Sequence, residues 1–207
     1  MLQTDAAAAR GGDKIRVGFF GGSFNPVHNG HIALARHLLG ELRLDEVWFV
    51  VSPQNPLKPP GSLLGDAARL AMVEAALEGE ARLCPCGVEL GLPRPSYTWN
   101  TLCHLAQVCP RCGFTLLIGG DNWAAFDRWR NHADILARYP IAIYPRRGAA
   151  IPAGQLPPGV TVVDTPLIDI SSTDVRRRVA AGLPIDGLVP PAVASMISRN
   201  GWYRRNS

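Results

Sequence analysis

A short apolar run, Ile15-Arg-Val-Gly-Phe-Phe20, stops at Gly21-Gly22 and gives way by Asn29 to apolar residues at helical spacing. A run so short and so apolar predicts a buried strand, and the paired glycines predict a tight loop at its end. Ile32, Ala35, Leu38 and Leu39 then recur at the helix period, and Gly40 suits the helix C-terminus. A strand entering a helix through a glycine turn is the opening unit of an α/β fold.

The rest of the chain repeats that alternation. Apolar strands are expected at Glu46–Val51, from Arg82 to Cys84, and at Phe114–Ile118, Ile141–Tyr144 and Val160–Val163. Helices are expected at Leu63–Leu77, Tyr97–Val108, Thr173–Ala180 and Pro191–Asn200, the last stopping at Gly201. Asn122–Arg138 reads as two short helices. This rhythm predicts a Rossmann-like three-layer α/β sandwich with a mostly parallel central sheet. Ligands of such sheets sit at the carboxyl ends of the strands, where both glycine turns, Gly21-Gly22 and Gly119-Gly120, fall.

Composition narrows the class. At 47% hydrophobic residues the chain is globular, and no apolar run approaches the ~18 residues of a membrane span. Residues 1–14 lack the apolar core of a secretory signal and read as a disordered leader, with one domain over 15–207; a cytoplasmic protein is expected. The formal charge is +4, and all but two of the 21 basic residues are arginines, the exceptions being Lys14 and Lys58. That excess suits small anionic ligands through the planar guanidinium. The arginines are scattered, without the basic stripe and interleaved aromatics of a nucleic-acid binder, so no nucleic acid and no membrane partner is expected; a homo-oligomer is left open. The five cysteines include Cys84-Pro-Cys86 and Cys109-Pro-Arg-Cys112, the donors of a Cys₄ zinc site. The first pair is too closely spaced for a zinc knuckle and the pairs fall on different strands. They read as free thiols in a reducing compartment, and no metal ligand is assigned.

The chemistry concentrates in Gly21-Gly22-Ser23-Phe24-Asn25-Pro26-Val27-His28-Asn29-Gly30-His31. No Gly-Lys-Ser/Thr follows, which excludes a P-loop, and the glycine spacing excludes a dinucleotide fingerprint. The glycines let backbone approach a ligand closely, and the helix start offers unpaired N–H groups to an anion. His28 and His31, three apart, point the same way on a helical turn. A metal would call for a third ligand nearby, and the segment has none. A second segment, Ile170-Ser171-Ser172-Thr173-Asp174-Val175-Arg176, opens another helix, with Ser171 and Asp174 spaced as a capping box.

His28-Asn29-Gly30-His31 resembles the H-x-G-H signature of the nucleotidyltransferase superfamily, and Ile170–Arg176 is similar to its I-S-S-T-x-x-R element. From about Ile15 to Tyr203 the chain resembles bacterial nicotinate-nucleotide adenylyltransferases. The further matches are Ser52–Lys58 at the acceptor loop, Pro95-Ser96-Tyr97-Thr98, Ile118-Gly119-Gly120-Asp121, Arg128-Trp129, Arg146-Arg147-Gly148, and Leu188 to Tyr203.

The resemblance implies adenylyl transfer from ATP to nicotinate mononucleotide, giving nicotinate adenine dinucleotide and pyrophosphate. His28, His31 and Arg176 would act on the phosphates. Gly21, Gly22, Ser23, Phe24, Gly119, Asp121, Ser171, Ser172 and Thr173 would complete the ATP site, with Asp121 accepting from the ribose hydroxyls. Asn55, Lys58, Thr98, Trp129 and Arg146 would hold the acceptor, and Mg²⁺ would ride on the ATP phosphates. The acceptor phosphate is already ionised at neutral pH, so positioning and charge stabilisation suffice without a general base. Three positions depart from the family, one of them Lys58, near the place of a histidine in the acceptor loop. Ser23 replaces a threonine and keeps the hydroxyl, and Asn25 replaces an aspartate and loses a charge. Neither is expected to abolish activity. Trp99 and Trp123 are expected to serve packing.

Overall fold

A computed structural model describes residues 14–53, 63–146, 156–166 and 169–204. Asn55, Lys58, Arg147 and nearly all of the leader lie outside the described residues.

Six strands are described: β1 (Ile15–Gly22), β2 (Glu46–Val51), β3 (Leu83–Cys86), β4 (Cys112–Gly119), β5 (Ile141–Tyr144) and β6 (Val160–Val162). They form one sheet in the order β3-β2-β1-β4-β5-β6, and every neighbouring pair is parallel. The chain builds outward from β1 to β3, then returns to lay β4 against the other side of β1. The reversal leaves a crevice above the carboxyl ends of β1 and β4, where an α/β sheet of this kind takes its ligand.

Alternate residues on each strand feed two separate apolar layers. Phe20, Val47, Phe49, Val51 and Leu117 face α1 (Asn29–Glu41) and α2 (Asp66–Ala76), with Val175 of α6 (Ser172–Ala180) and Val193 and Ile197 of α7 (Pro191–Asn200) in the same layer. Phe19, Trp48, Val50, Leu116 and Ile118 face α3 (Thr98–Val108) and α5 (His132–Arg138) through Leu102, Leu105 and Ile135. A short helix, α4 (Gly120–Trp123), follows β4 directly. With both faces covered, β2 is buried at all six positions, which is why its sequence is apolar without alternation.

Several boundaries differ from the expectation, each for a local reason. Gly21 and Gly22 are the last residues of β1, not its loop, and pair with Val50 and Val51. A Cβ on Gly22 would meet the Phe24 ring at 3.0 Å, so the ring occupies the space a side chain would need. β3 runs through Pro85 because it is an edge strand, where a missing N–H is tolerated. α2 starts at Asp66, three residues late, because the backbone of Leu64 is already committed: its N–H donates to Asn25 Oδ1 and its C=O accepts from Arg69. The expected helix pair over Asn122–Arg138 becomes α4, a 3₁₀ turn at Phe126–Arg128, and α5. Another 3₁₀ turn, Val88–Gly91, has no periodic signature in the sequence.

Among the described residues no helix is long and apolar enough to cross a membrane. All five cysteines are free thiols, and no group of three or more His, Cys, Asp or Glu side chains among the described residues is placed to hold a metal. Burial pushes the Cys84 thiol up to about 12, with the Glu46 carboxylate adding to the shift, and pushes Cys86 and Cys112 up to about 11. Such thiols are poor nucleophiles at neutral pH.

Candidate active site

A cleft of about 920 Å³ opens at the carboxyl ends of β1 and β4. Its floor is the end of β1 with Gly21 and Gly22, the turn that carries Ser23, Phe24 and His28, and the first turn of α1 with His31. Phe24 adopts φ 42°, a left-handed conformation that costs energy in a bulky residue. The ring it thereby buries sits edge-on to His31 at 5.1 Å and beside Phe49 at 5.3 Å.

His28 caps α1, and the rings of His28 and His31 stack at 3.6 Å with 23° between their planes. The His28 backbone N–H donates to His31 Nδ1 at 3.2 Å. A nitrogen that accepts carries no proton, so in neutral His31 the proton is on Nε2. Burial lowers both histidines, and Arg146 adds to the shift in each. His28 falls to about 4 and His31 well below its usual value, with His28 also contributing to His31. Both rings are therefore neutral donors at pH 7, not standing positive charges. Among the described residues, His28 Nδ1 is the one buried side-chain nitrogen or oxygen without a hydrogen-bond partner.

The N-terminus of α6 closes the cleft from the other side. Ser171 caps it, accepting from the Asp174 N–H at 3.1 Å as the capping-box spacing predicts, so the helix starts at Ser172. Two bonds tie this helix to the β1–α1 turn. Ser172 Oγ donates to the Pro26 carbonyl at 2.9 Å, and Arg176 Nη1 donates to the Asn25 carbonyl at 2.7 Å. Arg176 also donates to Thr173 Oγ1 at 3.2 Å. Ser171, Ser172, Thr173 and Arg176 all line the cleft. Two segments 146 residues apart in sequence are thus joined at one side of the cleft.

Asp121 and Arg146 also line the cleft and pair with each other at 3.3 Å. Gly119 is not on its surface. It lies beneath this pair, where a Cβ would come within 2.5 Å of Asp121 Oδ1 and 2.9 Å of Arg146 Cδ. Arg146 thus stands with Asp121 and the histidines.

The remaining wall comes from α3 and the 3₁₀ turn after α4. Thr98 is the first residue of α3, Trp129 ends the 3₁₀ turn, and both face the cleft. Trp129 is half-buried against Phe126 at 5.4 Å. The Arg130 guanidinium lies 5.0 Å over the Tyr97 ring at the rim. Trp99 and Trp123 pack in the α3 layer, Trp123 stacking on Phe126 at 5.2 Å.

Two residues that support the site were missed in the sequence. Glu89, 3% exposed on the 3₁₀ turn at Val88–Gly91, accepts from Ser96 Oγ at 2.7 Å and Thr101 Oγ1 at 2.9 Å, and so fixes the start of α3. Arg69, wholly buried, donates to the Ser23 carbonyl at 2.5 Å beneath the histidine turn. The available signal was a charged residue inside an otherwise apolar helical stripe, Leu70, Met72 and Val73 around Arg69.

Residues 19–178 match the model of the cytidylyltransferase-like family. A Bacteroides fragilis protein called "Probable nicotinate-nucleotide adenylyltransferase" is 46% identical over 184 residues, covering 89% of this chain and 92% of its own. A Flavobacterium johnsoniae protein of the same name is 38% identical over 193 residues, 92% of this chain and all of its own. Among solved structures, Plasmodium falciparum nicotinic acid mononucleotide adenylyltransferase in complex with NaAD superposes with a TM-score of 0.76 at 17% identity, over 91% of this chain and 97% of that one. At that identity the likeness speaks for the fold.

Proposed function

From the nicotinate-nucleotide adenylyltransferase family, to which the chain belongs, we infer that this protein transfers the adenylyl group of ATP to nicotinate mononucleotide, releasing pyrophosphate. The observation that carries the site-level reading is the pair of neutral, stacked histidines facing the capped N-terminus of α6 across one cleft.

The reaction joins a phosphate oxygen of the acceptor to the α-phosphorus of ATP and breaks the bond to the β-phosphate. Negative charge grows on the α-phosphate oxygens and on the leaving pyrophosphate. N–H donors held in place before the reaction stabilise that charge without reorganising. His31 Nε2–H and His28 serve the α-phosphate, and the unpartnered His28 Nδ1 is a group that substrate binding can satisfy. The free amides at the start of α6 and Arg176 serve the β- and γ-phosphates, and the Ser172 hydroxyl, bound to the Pro26 carbonyl, holds that helix start against the β1–α1 turn. Ser23 extends that cradle, and Asp121 accepts from the ATP ribose. Mg²⁺ would be held by the triphosphate oxygens of ATP, where it would neutralise part of the phosphate charge.

The acceptor ring lies against Trp129, whose indole face attracts a pyridinium. Thr98 and the free amides at the start of α3 face the ring carboxylate, which favours nicotinate over the neutral nicotinamide. Arg146, beside Asp121, neutralises phosphate charge between the two substrates. Pyrophosphate release measured with ATP, Mg²⁺ and either pyridine mononucleotide tests this reading. Release is expected with nicotinate mononucleotide and more weakly with the nicotinamide form. No release with either acceptor sinks it.

A further inference from the structure

Arg69 stands on the first turn of α2 with none of its surface exposed. A buried guanidinium must place every donor, and this one does. Nε donates to the Leu64 carbonyl at 2.9 Å, Nη1 to the Ser23 and Ser52 carbonyls at 2.5 and 2.8 Å, and Nη2 to the Pro53 carbonyl at 3.2 Å. Its remaining bond, also from Nη2, goes to Asp66 Oδ1 at 2.5 Å. The other oxygen of that carboxylate, Oδ2, accepts from Arg94 Nη2 at 2.6 Å. Arg94 directly precedes the segment Pro95-Ser96-Tyr97 that delivers Thr98 to the cleft, and Glu89 anchors that segment through Ser96.

One carboxylate therefore joins two arginines with different roots. Arg69 is rooted in the turn that carries Ser23 and the histidines. Arg94 is rooted in the wall that carries Thr98. We propose that the Arg69–Asp66–Arg94 bridge is a positioning device that sets the separation between the ATP half and the acceptor half of the cleft. None of the three touches a reacting atom, since none lines the cleft. Their effect runs through the Ser23 carbonyl on one side and the residue before Pro95 on the other.

The energetics make this separable from ordinary structure. The Arg94 side chain is 60% exposed and that of Asp66 23%, so their ion pair adds little to folding stability. Geometry is a different matter, because in-line transfer between two bound substrates loses up to about 100-fold for a misplacement near 1 Å. Loss of the Arg94 link should thus appear in acceptor kinetics and barely in the melting temperature.

The proposal rests on placing the acceptor against Thr98 and Trp129. The test measures KM for each substrate, kcat and Tm for Arg94→Gln, Arg94→Lys and Asp66→Asn in the full chain, with Trp129→Ala alongside. Arg94→Gln is expected to raise the acceptor KM about 5- to 20-fold, a fraction of that ceiling. ATP KM should stay within about twofold and Tm within about 2 °C, as for a surface substitution. Arg94→Lys should recover part of the loss, and Asp66→Asn should match or exceed Arg94→Gln. Arg94→Gln and Asp66→Asn with wild-type KM values overturn the bridge. So does a loss in Tm with unchanged KM. If Trp129→Ala also leaves the acceptor KM unchanged, the fault lies in the placement of the acceptor instead.

Discussion

The two halves of the cleft are built differently. The half we assign to ATP is closed by long-range bonds: Ser172 to Pro26, Arg176 to Asn25, and Tyr203 OH to Asn25 Oδ1 at 2.7 Å. Its central histidine, His28, is 4% exposed. The half we assign to the acceptor has a buried polar anchor in Glu89 and the Ser96 and Thr101 hydroxyls bound to it, beside half-exposed rings, Tyr97 and Trp129, with Arg130 at the rim. The contrast fits the chemistry. Charge develops on the triphosphate, so its donors must be fixed beforehand. The acceptor must be oriented, and contact area with a few polar bonds is enough for that.

The largest expected effect tests whether the ATP half does the charge stabilisation. His31→Ala removes the Nε2–H donor and should lower kcat by about 100-fold or more, the usual cost of one lost donor to developing charge. A loss under about tenfold in a steady-state assay reverses the contrast, because His31 would then be packing.

A second effect separates the halves by pH. Both histidines have folded-state values below the usual 6.5, and His28 titrates near 4. Between those values the unfolded chain binds protons that the folded chain does not. Stability is therefore complete above about pH 6.5 and falls on acidification toward 4, by up to ~1.4 kcal/mol per pH unit for each histidine. Urea unfolding of wild type and His28→Asn at pH 7.5 and 5 should show a shallower slope in the variant. Equal slopes mean that His28 is charged in the folded protein.

The acceptor half should break more gently. Trp129→Ala should raise the acceptor KM about tenfold with ATP KM unchanged, in line with the 1–2 kcal/mol of a stacked cation–ring contact. A matching rise in both KM values means that the ring does not sit there.

The same contrast decides what could be read in the sequence. That two segments meet at one cleft was legible because each is a contiguous run: the turn from Gly21 to His31, and Ile170–Arg176 at a helix start. Even the Ser171–Asp174 cap followed from spacing alone. The acceptor half was legible only where a run survived, as in Pro95–Thr98. Glu89 was not, because its meaning comes from hydroxyls 7 and 12 residues away that fold back onto it. Arg69 was not, because four of its five partners are backbone carbonyls, which any sequence supplies. Strand ends were misjudged at Gly21 and Gly22, since ladder pairing with Val50 and Val51 outweighed glycine's low strand propensity.

The smallest expected effect concerns Asn25, where the sequence resemblance implies aspartate. Asn25 is 2% exposed, and its Oδ1 accepts from Tyr203 OH at 2.7 Å and the Leu64 N–H at 3.2 Å. An aspartate oxygen could accept the same two bonds. The position therefore serves the ATP half as a buried acceptor that ties the turn to α7's C-terminal extension and to the entry of α2. Its charge adds little, because Arg176 already binds the Asn25 backbone carbonyl, which the substitution leaves in place. Asn25→Asp should thus change kcat/KM for ATP by less than about threefold, under 1 kcal/mol of barrier. Asn25→Leu keeps the branched shape with bulkier ends and removes both acceptor bonds. It strands the Tyr203 hydroxyl and the Leu64 amide in a partly buried site and should cost about 1 kcal/mol of stability in urea unfolding. If the aspartate variant gains tenfold in kcat/KM while the leucine variant folds as well as wild type, charge rather than hydrogen bonding is what this corner of the ATP half supplies.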